Sequence, residues 1–160
     1  MPSNNRRPMD SSLCNHKIRF ATLEDLENIF EIEIITFRDA YSLGFLYQLI
    51  RDRNSISLII EVEQIIAGFA FGNIQHGKKG HIISVAVHPK YRNCNFGSLL
   101  VAQLISILKE KGAVIFELEV RVSNIIAQKL YKKFNFRIEK TKSNYYSDGE
   151  DAYFMVYKIK

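Results

Sequence analysis

The sequence is poor in cysteine, with two residues, Cys14 and Cys94, in the whole chain. Two cysteines cannot form a disulfide framework, and neither lies at metal-ligand spacing from a partner. The four histidines, at positions 16, 76, 81 and 88, also lack the spacing that zinc sites use. We therefore expect neither a disulfide-stapled module nor a metal enzyme.

Long apolar runs are missing as well. An acidic or basic residue interrupts each apolar stretch before it reaches the roughly 18 residues that a membrane span needs. The first residues also lack the apolar core of a secretory signal. These features predict a soluble, cytoplasmic protein with no membrane contact.

The chain length of 160 residues suits one domain and is too short for two ordinary ones. Residues 1–15 are polar and aperiodic, so we expect a disordered tail before a single domain at 16–160. The net charge of +5 favours an anionic partner such as nucleic acid, a ribosome or a phosphorylated cofactor. A mildly basic surface without a special partner explains it equally well. No dense basic block exists beyond short pairs such as Arg6-Arg7 and Lys78-Lys79, and basic charge alone is weak support for RNA binding, so we predict no specific nucleic-acid binding.

Hydrophobic periodicity predicts the element order β-α-α-β-β-β-α-β-α-β-β. The predicted strands are 17–21, 56–62, 65–74, 81–87, 114–122, 136–142 and 152–159. The predicted helices follow caps at Thr22, Ser42 and Ser123, with the strongest one at 97–111. The apolar stripes are Leu26, Ile29, Phe30 and Ile34 in the first helix, and Ile126, Leu130 and Phe134 in the last. This order indicates an α+β (mixed α/β) domain with one sheet and helices on its faces.

The turn from Arg92 to Ser98 connects a strand rich in branched residues with the strongest predicted helix. Such a turn presents free backbone N–H groups and the positive end of the helix dipole, which suit a pyrophosphate. Arg92 adds a positive charge, Gly97 allows close backbone approach, and Asn95 tolerates a left-handed conformation. Because every strand-to-helix turn shares some of this character, a structural loop and an anion site both remain open.

This turn resembles the coenzyme A motif of the GNAT N-acetyltransferase superfamily, Arg/Gln-x-x-Gly-x-Gly/Ala after a Val-x-Val strand. Asn95 stands where the family has its first glycine. In the family the strand splays from its neighbour and pairs with the pantetheine arm, while the turn holds the pyrophosphate. The positions that the resemblance implies for the cofactor are Val85, Ala86, Val87, Arg92, Asn93, Cys94, Asn95, Phe96, Gly97 and Ser98.

A second stretch resembles the next motif of the same superfamily, and especially its protein N-terminal (Nα) acetyltransferases of the ribosomal-protein and catalytic-subunit types. The matching residues are Leu118-Glu119-Val120-Arg121-Val122-Ser123-Asn124, Ala127, Leu130, Tyr131, Phe136 and Tyr145-Tyr146-Ser147-Asp148-Gly149-Glu150-Asp151-Ala152. Asn135 replaces the glycine of the family's Leu-Gly-Phe-like turn. The resemblance covers most of residues 17–160. It implies a single GNAT-like domain with a mixed, mostly antiparallel sheet of about seven strands and helices on both faces.

The spacing of these residues gives independent support. On the predicted strand, Glu119 points away from the apolar row that contains Leu118 and Val120. Asn124 and Tyr131 are seven residues apart, nearly two helical turns, so they share a face and could both line a cofactor groove. Without the resemblance, the plainer interpretation is a solvated glutamate, an asparagine at a helix start and a half-buried tyrosine.

The resemblance implies an acetyl-CoA-dependent reaction in which a free amine attacks the thioester directly. Glu119 acts as the base, directly or through a water, and Tyr131 protonates the coenzyme A thiolate. The backbone N–H of Val87 is a candidate for polarising the thioester carbonyl. The implied acceptor positions are Glu33, Phe37, Tyr41, Tyr145 and Tyr146, although core packing explains Phe37 and Tyr41 equally well.

The partners implied are protein N-termini, including ribosomal proteins or nascent chains, with an auxiliary subunit as an option rather than a requirement. Two alternatives remain open. One is an acetyltransferase for lysine or small amines, against which the Tyr145-Tyr146 hairpin argues mildly. The other is a non-catalytic coenzyme A-binding or ribosome-associated module, against which the joint presence of Glu119 and Tyr131 argues.

Overall fold

The computed structural model describes residues 15–76 and 78–160, so the predicted tail lies, apart from residue 15, outside the described residues. The strands are β1 His16–Phe20, β2 Ser55–Val62, β3 Ile65–Gln75, β4 Lys79–Val87, β5 Ile115–Arg121, β6 Arg137–Lys142 and β7 Ala152–Lys158. The α-helices are α1 Leu26–Thr36, α2 Leu43–Arg51, α3 Phe96–Glu110 and α4 Ile125–Lys133. Short 3₁₀ turns at Leu23–Asp25 and Pro89–Tyr91 precede α1 and α3.

One sheet organises the described chain, with the strand order β1-β2-β3-β4-β5-β7-β6. Every neighbouring pair is antiparallel except β4 and β5, which are parallel and connected through α3. The predicted order of elements and the mixed, mostly antiparallel sheet of seven strands are therefore confirmed.

Helices cover both faces of the sheet and create two buried clusters. On one face, Leu100 and Leu104 of α3 pack with Phe116 of β5. On the other, Ile29 of α1 and Leu46 of α2 pack with neighbours that include Phe69 and Phe71. Each core is built from the apolar stripe of its helix, as the sequence predicts. No helix in the described ranges is long and apolar enough to cross a bilayer.

Two predicted apolar stripes are partly wrong. Ile34 is 48% exposed and Ile126 is 86% exposed, whereas the polar Glu33 and Gln128 are buried. Backbone partners explain the exchange, because the Glu33 carboxylate accepts the Tyr41 N–H at 2.9 Å and the Gln128 amide donates to the Val122 carbonyl at 2.8 Å. A buried polar side chain that satisfies backbone groups can displace an apolar one from the core-facing position.

The start of α4 also differs by one residue from the prediction. Asn124, not Ser123, is the N-cap, and its side chain accepts the Ala127 N–H at 3.0 Å. The predicted cap at Ser42 is confirmed, since its hydroxyl accepts the Phe45 N–H at 3.1 Å.

Candidate active site

Strands β4 and β5 pair only at their beginnings, although all their residues are described. The parallel register joins Lys79 to Ile115 and ends with His81 opposite Glu117, after which each strand continues unpaired with the other. The His88 N–H donates to the carbonyl of Ala67 in β3, at 2.8 Å. Because amide directions alternate along a strand, the N–H groups of Val85 and Val87 face the open side.

In the turn after β4, Asn95 has the left-handed conformation that its place in the family's glycine position predicts. Asn95 has φ 63° and stands at the N-cap of α3, and Asn93 also has φ 63°. Cys94 and Phe96 are buried in the core, so a ligand at the turn could meet their backbone groups but not their side chains. Arg92 is exposed, and its Nε lies 3.4 Å from the Val87 carbonyl oxygen.

The first turn of α3 leaves donors available on the same side. The first helical bond runs from the Leu99 N–H to the Asn95 carbonyl at 3.1 Å, and the Asn95 side chain makes no capping bond. The N–H groups of residues 96–98 therefore have no partner within the helix. A Cβ at Gly97 would meet one side-chain atom, of Leu130 at 3.4 Å, so this chain's own packing does not demand a glycine there.

Substitutions at Asn95 test the importance of this backbone conformation. We expect Asn95→Val to lower the free energy of unfolding by about 1–2 kcal/mol and to weaken coenzyme A binding, because a β-branched residue is strained at positive φ. Asn95→Gly should retain both properties. Urea unfolding and calorimetric titration with coenzyme A measure the two effects; a valine variant as stable as the glycine variant would contradict the prediction.

Glu119 is the centre of a charged cluster on the sheet surface beside this opening. Its carboxylate lies 2.8 Å from His81 Nε2 on β4 and accepts a hydrogen bond from Lys142 Nζ on β6 at 2.6 Å. Burial by itself would raise the pKa of Glu119, but the hydrogen bonds from His81 and Lys142 outweigh burial and lower the pKa to about 2. The carboxylate is therefore ionised throughout the neutral range.

An ionised Glu119 changes what the site can do. A carboxylate with so low a pKa is a weak proton acceptor, whereas efficient general bases titrate near the working pH. Since the carboxylate can only accept hydrogen bonds, the contacting Nε2 of His81 must carry a hydrogen. Glu119 thus holds His81 in one orientation and keeps negative charge at the opening, which goes beyond the simple base expected from the sequence.

His81 and Lys142 are the polar residues that sequence reasoning missed. In the sequence, His81 is one of four histidines without zinc-site spacing, and Lys142 is one residue of a predicted strand. Their contact with Glu119 depends on the parallel pairing of β4 with β5 and on β7 lying between β5 and β6. Alternation along β4 could have placed His81 on a definite face, but no local signal identifies the strand beside it.

Acid titration of stability tests the low pKa of Glu119. The ordinary value is 4.5, so the stabilising effect of the ionised carboxylate is complete above that pH and is lost as the pH falls toward 2. We expect wild type to lose more stability than Glu119→Gln between these values. Urea midpoints measured across this range check it, and parallel curves would contradict it.

Tyr131 lies on α4 and is 8% exposed, with its ring 5.9 Å from that of Phe136. Burial raises the pKa of Tyr131, and the neighbouring Tyr146 raises it further. The phenol therefore keeps its proton at neutral pH. Asn124 is exposed and uses its side-chain oxygen to cap α4, so a cofactor contact from its amide group stays a prediction.

The predicted acceptor tyrosines gather around Glu119. The rings of Tyr145 and Tyr146 are 5.0 Å apart. Burial raises the pKa of Tyr145, Tyr146 and Tyr41, and the charge of Glu119 adds to the rise in each case. These three side chains therefore lie within electrostatic reach of one carboxylate. Tyr41 lies in loop 37–42 and Tyr145 and Tyr146 lie in loop 143–151, and we call the surface between these tyrosines the groove.

Glu33 and Phe37 lie deeper than the tyrosines. Glu33 is 1% exposed, and its carboxylate accepts hydrogen bonds from the Tyr41 N–H and the Ser84 hydroxyl, at 2.9 and 3.4 Å. Phe37 packs against the α1–α2 side of the core. Glu33 is thereby bonded to the backbone of Tyr41, and a direct contact of Glu33 or Phe37 with an acceptor stays a prediction.

Comparison with known proteins assigns the class. Residues 23–136 match the acetyltransferase (GNAT) family, and this chain belongs to that family as an N-acetyltransferase. An N-alpha-acetyltransferase of Sulfolobus acidocaldarius is 35% identical over 153 residues, covering 88% of this chain and 91% of the relative. A ribosomal protein bS18-alanine N-acetyltransferase of Haemophilus influenzae is 38% identical over 122 residues, covering 76% and 82%.

The fold is shared more widely. The structure of Arabidopsis thaliana NAA60 in complex with acetyl-CoA superposes with a TM-score of 0.80 over 90% of this chain and 98% of the other, at 18% identity. That likeness confirms the architecture of the sheet and helices. The relatives with higher identity carry the resemblance to N-terminal acetyltransferases.

Proposed function

We propose that this protein transfers the acetyl group of acetyl-CoA to the free α-amine of protein N-termini. The observation that carries the proposal is the Glu119–His81–Lys142 cluster, which lies beside the opening between β4 and β5 and within reach of Tyr41, Tyr145 and Tyr146. Relatives above 30% identity that are named for N-terminal acetylation support the same acceptor.

The opening between the strands suits the cofactor. The backbone N–H groups of Val85 and Val87, which face the unpaired side of β4, could bond to the amide groups of a pantetheine arm. The uncapped first turn of α3 and the exposed Arg92 could hold the pyrophosphate. The Val87 N–H would then be the donor that stabilises negative charge on the thioester oxygen.

The chemistry is direct acetyl transfer. The amine nitrogen attacks the thioester carbon, the tetrahedral intermediate collapses, and the C–S bond breaks. We propose that the amine proton leaves through the His81–Glu119 pair, directly or by one water, because the 2.8 Å contact between Nε2 and the carboxylate fixes both groups at this position. Tyr131 donates its phenolic proton to the departing thiolate, which its raised pKa allows it to hold until that step.

The free-energy cost of deprotonating the acceptor amine favours α-amines over lysine amines. An α-amine with a pKa near 7.7–8 is about one-tenth neutral at pH 7, a cost of roughly 1 kcal/mol. A lysine amine near 10.4 would cost about 4–5 kcal/mol, which calls for a stronger base. The low pKa of Glu119 makes that stronger base hard to supply here.

Matched peptides test the acceptor. One peptide has a free N-terminal alanine and no lysine, and its partner has a blocked N-terminus and one internal lysine. We expect coenzyme A thiol release with the first peptide, and mass spectrometry should place the acetyl group on the α-amine. Turnover on the second peptide alone would establish a lysine acetyltransferase instead.

The same assay separates an enzyme from a binding module. The purified chain without any other protein should turn over, which would make an auxiliary subunit dispensable. Tight coenzyme A binding without turnover on either peptide or on small amines would identify a non-catalytic module. Ribosomal-protein and nascent-chain N-termini of other first residues then extend the panel.

A further inference from the structure

Arg121, at the end of β5, is the meeting point of three carboxylates from two different loops. Its Nη2 lies 2.8 Å from Asp39 Oδ2, and its Nη1 lies 3.0 Å from Asp148 Oδ2 and 3.4 Å from Glu150 Oε2. The guanidinium carbon also lies 4.0 Å from the centre of the Tyr146 ring. Planar guanidinium can serve all these partners at once, which a lysine ammonium cannot.

The partners of Arg121 belong to the two loops that carry the acceptor tyrosines. Asp39 lies in loop 37–42, which leads to Tyr41, while Asp148 and Glu150 lie in loop 143–151 with Tyr145 and Tyr146. The loops also touch directly, because the Ser147 hydroxyl and N–H both donate to the Asp39 carboxylate. These loops are far apart in the sequence and meet around one cation.

The contacts of Arg121 differ from an ordinary surface ion pair, because the side chains are partly buried and four residues share the charges. The Arg121 side chain is 18% exposed, and its carboxylate partners are 24–36% exposed. Isolated exposed pairs contribute little, but shared charges in a partly buried network hold several side chains in one arrangement. Loss of the central cation would also leave three carboxylates beside one another.

We propose that Arg121 is a positioning residue for the acceptor, which latches loop 37–42 to loop 143–151 and so sets the groove between Tyr41 and the Tyr145–Tyr146 pair. This inference rests on the proposed transfer to an acceptor amine bound in that groove. Arg121 acts through the loops and does not touch the reacting atoms. Its removal should therefore affect acceptor binding more than the cofactor.

Arg121→Met tests whether Arg121 holds the two loops together, which we call the latch, since methionine keeps the apolar bulk of the side chain without its charge. We expect the acceptor KM to rise about tenfold with a smaller change in kcat, and the coenzyme A dissociation constant to stay unchanged. Hydrogen exchange should become faster in both loops. Arg121→Lys should recover part of the KM effect, because it restores the charge but not the planar fork.

Arg19→Met is the matched control. Arg19 also joins two carboxylates, Asp25 at 2.8 Å and Glu61 at 3.2 Å, but it lies on the edge strand β1 away from the groove. We expect this variant to lose stability without a change in acceptor KM. An equal rise in KM for both arginine variants, or unchanged exchange in the two loops of Arg121→Met, would overturn the latch.

Hydrogen exchange is measured without any acceptor, so the latch and the proposed function fail separately. If wild type acetylates only lysine side chains, the α-amine assignment is wrong. Faster hydrogen exchange in both loops of Arg121→Met would still support the contact between the loops, and the KM of this variant for the lysine peptide then decides whether Arg121 positions the acceptor. If wild type acetylates α-amines and KM does not move, the latch falls and the proposed function stands.

Discussion

Replacement of Glu119 by glutamine is expected to lower kcat about a hundredfold, at the lower end of general acid–base contributions. Glutamine preserves the shape of the side chain but removes the charge that holds His81 and Lys142. His81 would lose the partner that fixes its orientation, and the groove would lose its negative charge. Steady-state turnover at saturating acetyl-CoA and acceptor measures the change.

Glu117→Gln is the control for this experiment. Glu117 lies two residues earlier on β5, on the same face as Glu119, and pairs with Lys79 at 3.1 Å. The two glutamate side chains are similarly buried, at 14% and 12% exposure. We expect Glu117→Gln to retain near wild-type turnover. Equal losses in both variants would show that β5 needs charge for its structure and would remove Glu119 from the mechanism.

The fold was largely predictable because its elements are separated by strong local signals. The seven strands and their turns follow from branched-residue runs and from asparagine or glycine at positive φ, such as Asn95, Asn135 and Gly149. The predicted buried faces of α1 and α4 are wrong at Glu33 and Gln128, where hydrogen bonds to backbone groups keep polar side chains in the core. Hydrophobic periodicity carries no information about such bonds.

The candidate site was predictable only where a motif runs along one stretch of chain. Residue pattern and resemblance together pointed to Glu119 and Tyr131, which the structure places near the same tyrosine, Tyr146. His81 and Lys142 come from strands on either side of β5 and meet Glu119 through sheet order alone. Arg121 was part of a motif, yet its contact with Asp39 spans 82 positions of sequence.

Tyr131→Phe is expected to lower kcat about a hundredfold while leaving coenzyme A affinity nearly unchanged. The substitution removes one hydroxyl from a buried ring and retains its packing against Phe136. Without that hydroxyl the thiolate must leave unprotonated or take its proton from water. Turnover measured beside calorimetric titration with coenzyme A separates chemistry from binding, and unchanged turnover would remove Tyr131 from the mechanism.

Tyr157→Phe provides the matched comparison, because its ring also lies 5.9 Å from Phe136, in the same core. Tyr157 is on β7 and stacks on Phe116, on the face of the sheet that α3 covers. Both variants delete a phenolic oxygen beside the same aromatic ring, but Tyr131 is buried and Tyr157 is half-buried, so the free energy of unfolding is measured for both. A loss of kcat confined to Tyr131→Phe then reports proton donation, since packing changes alone would lower both rates together.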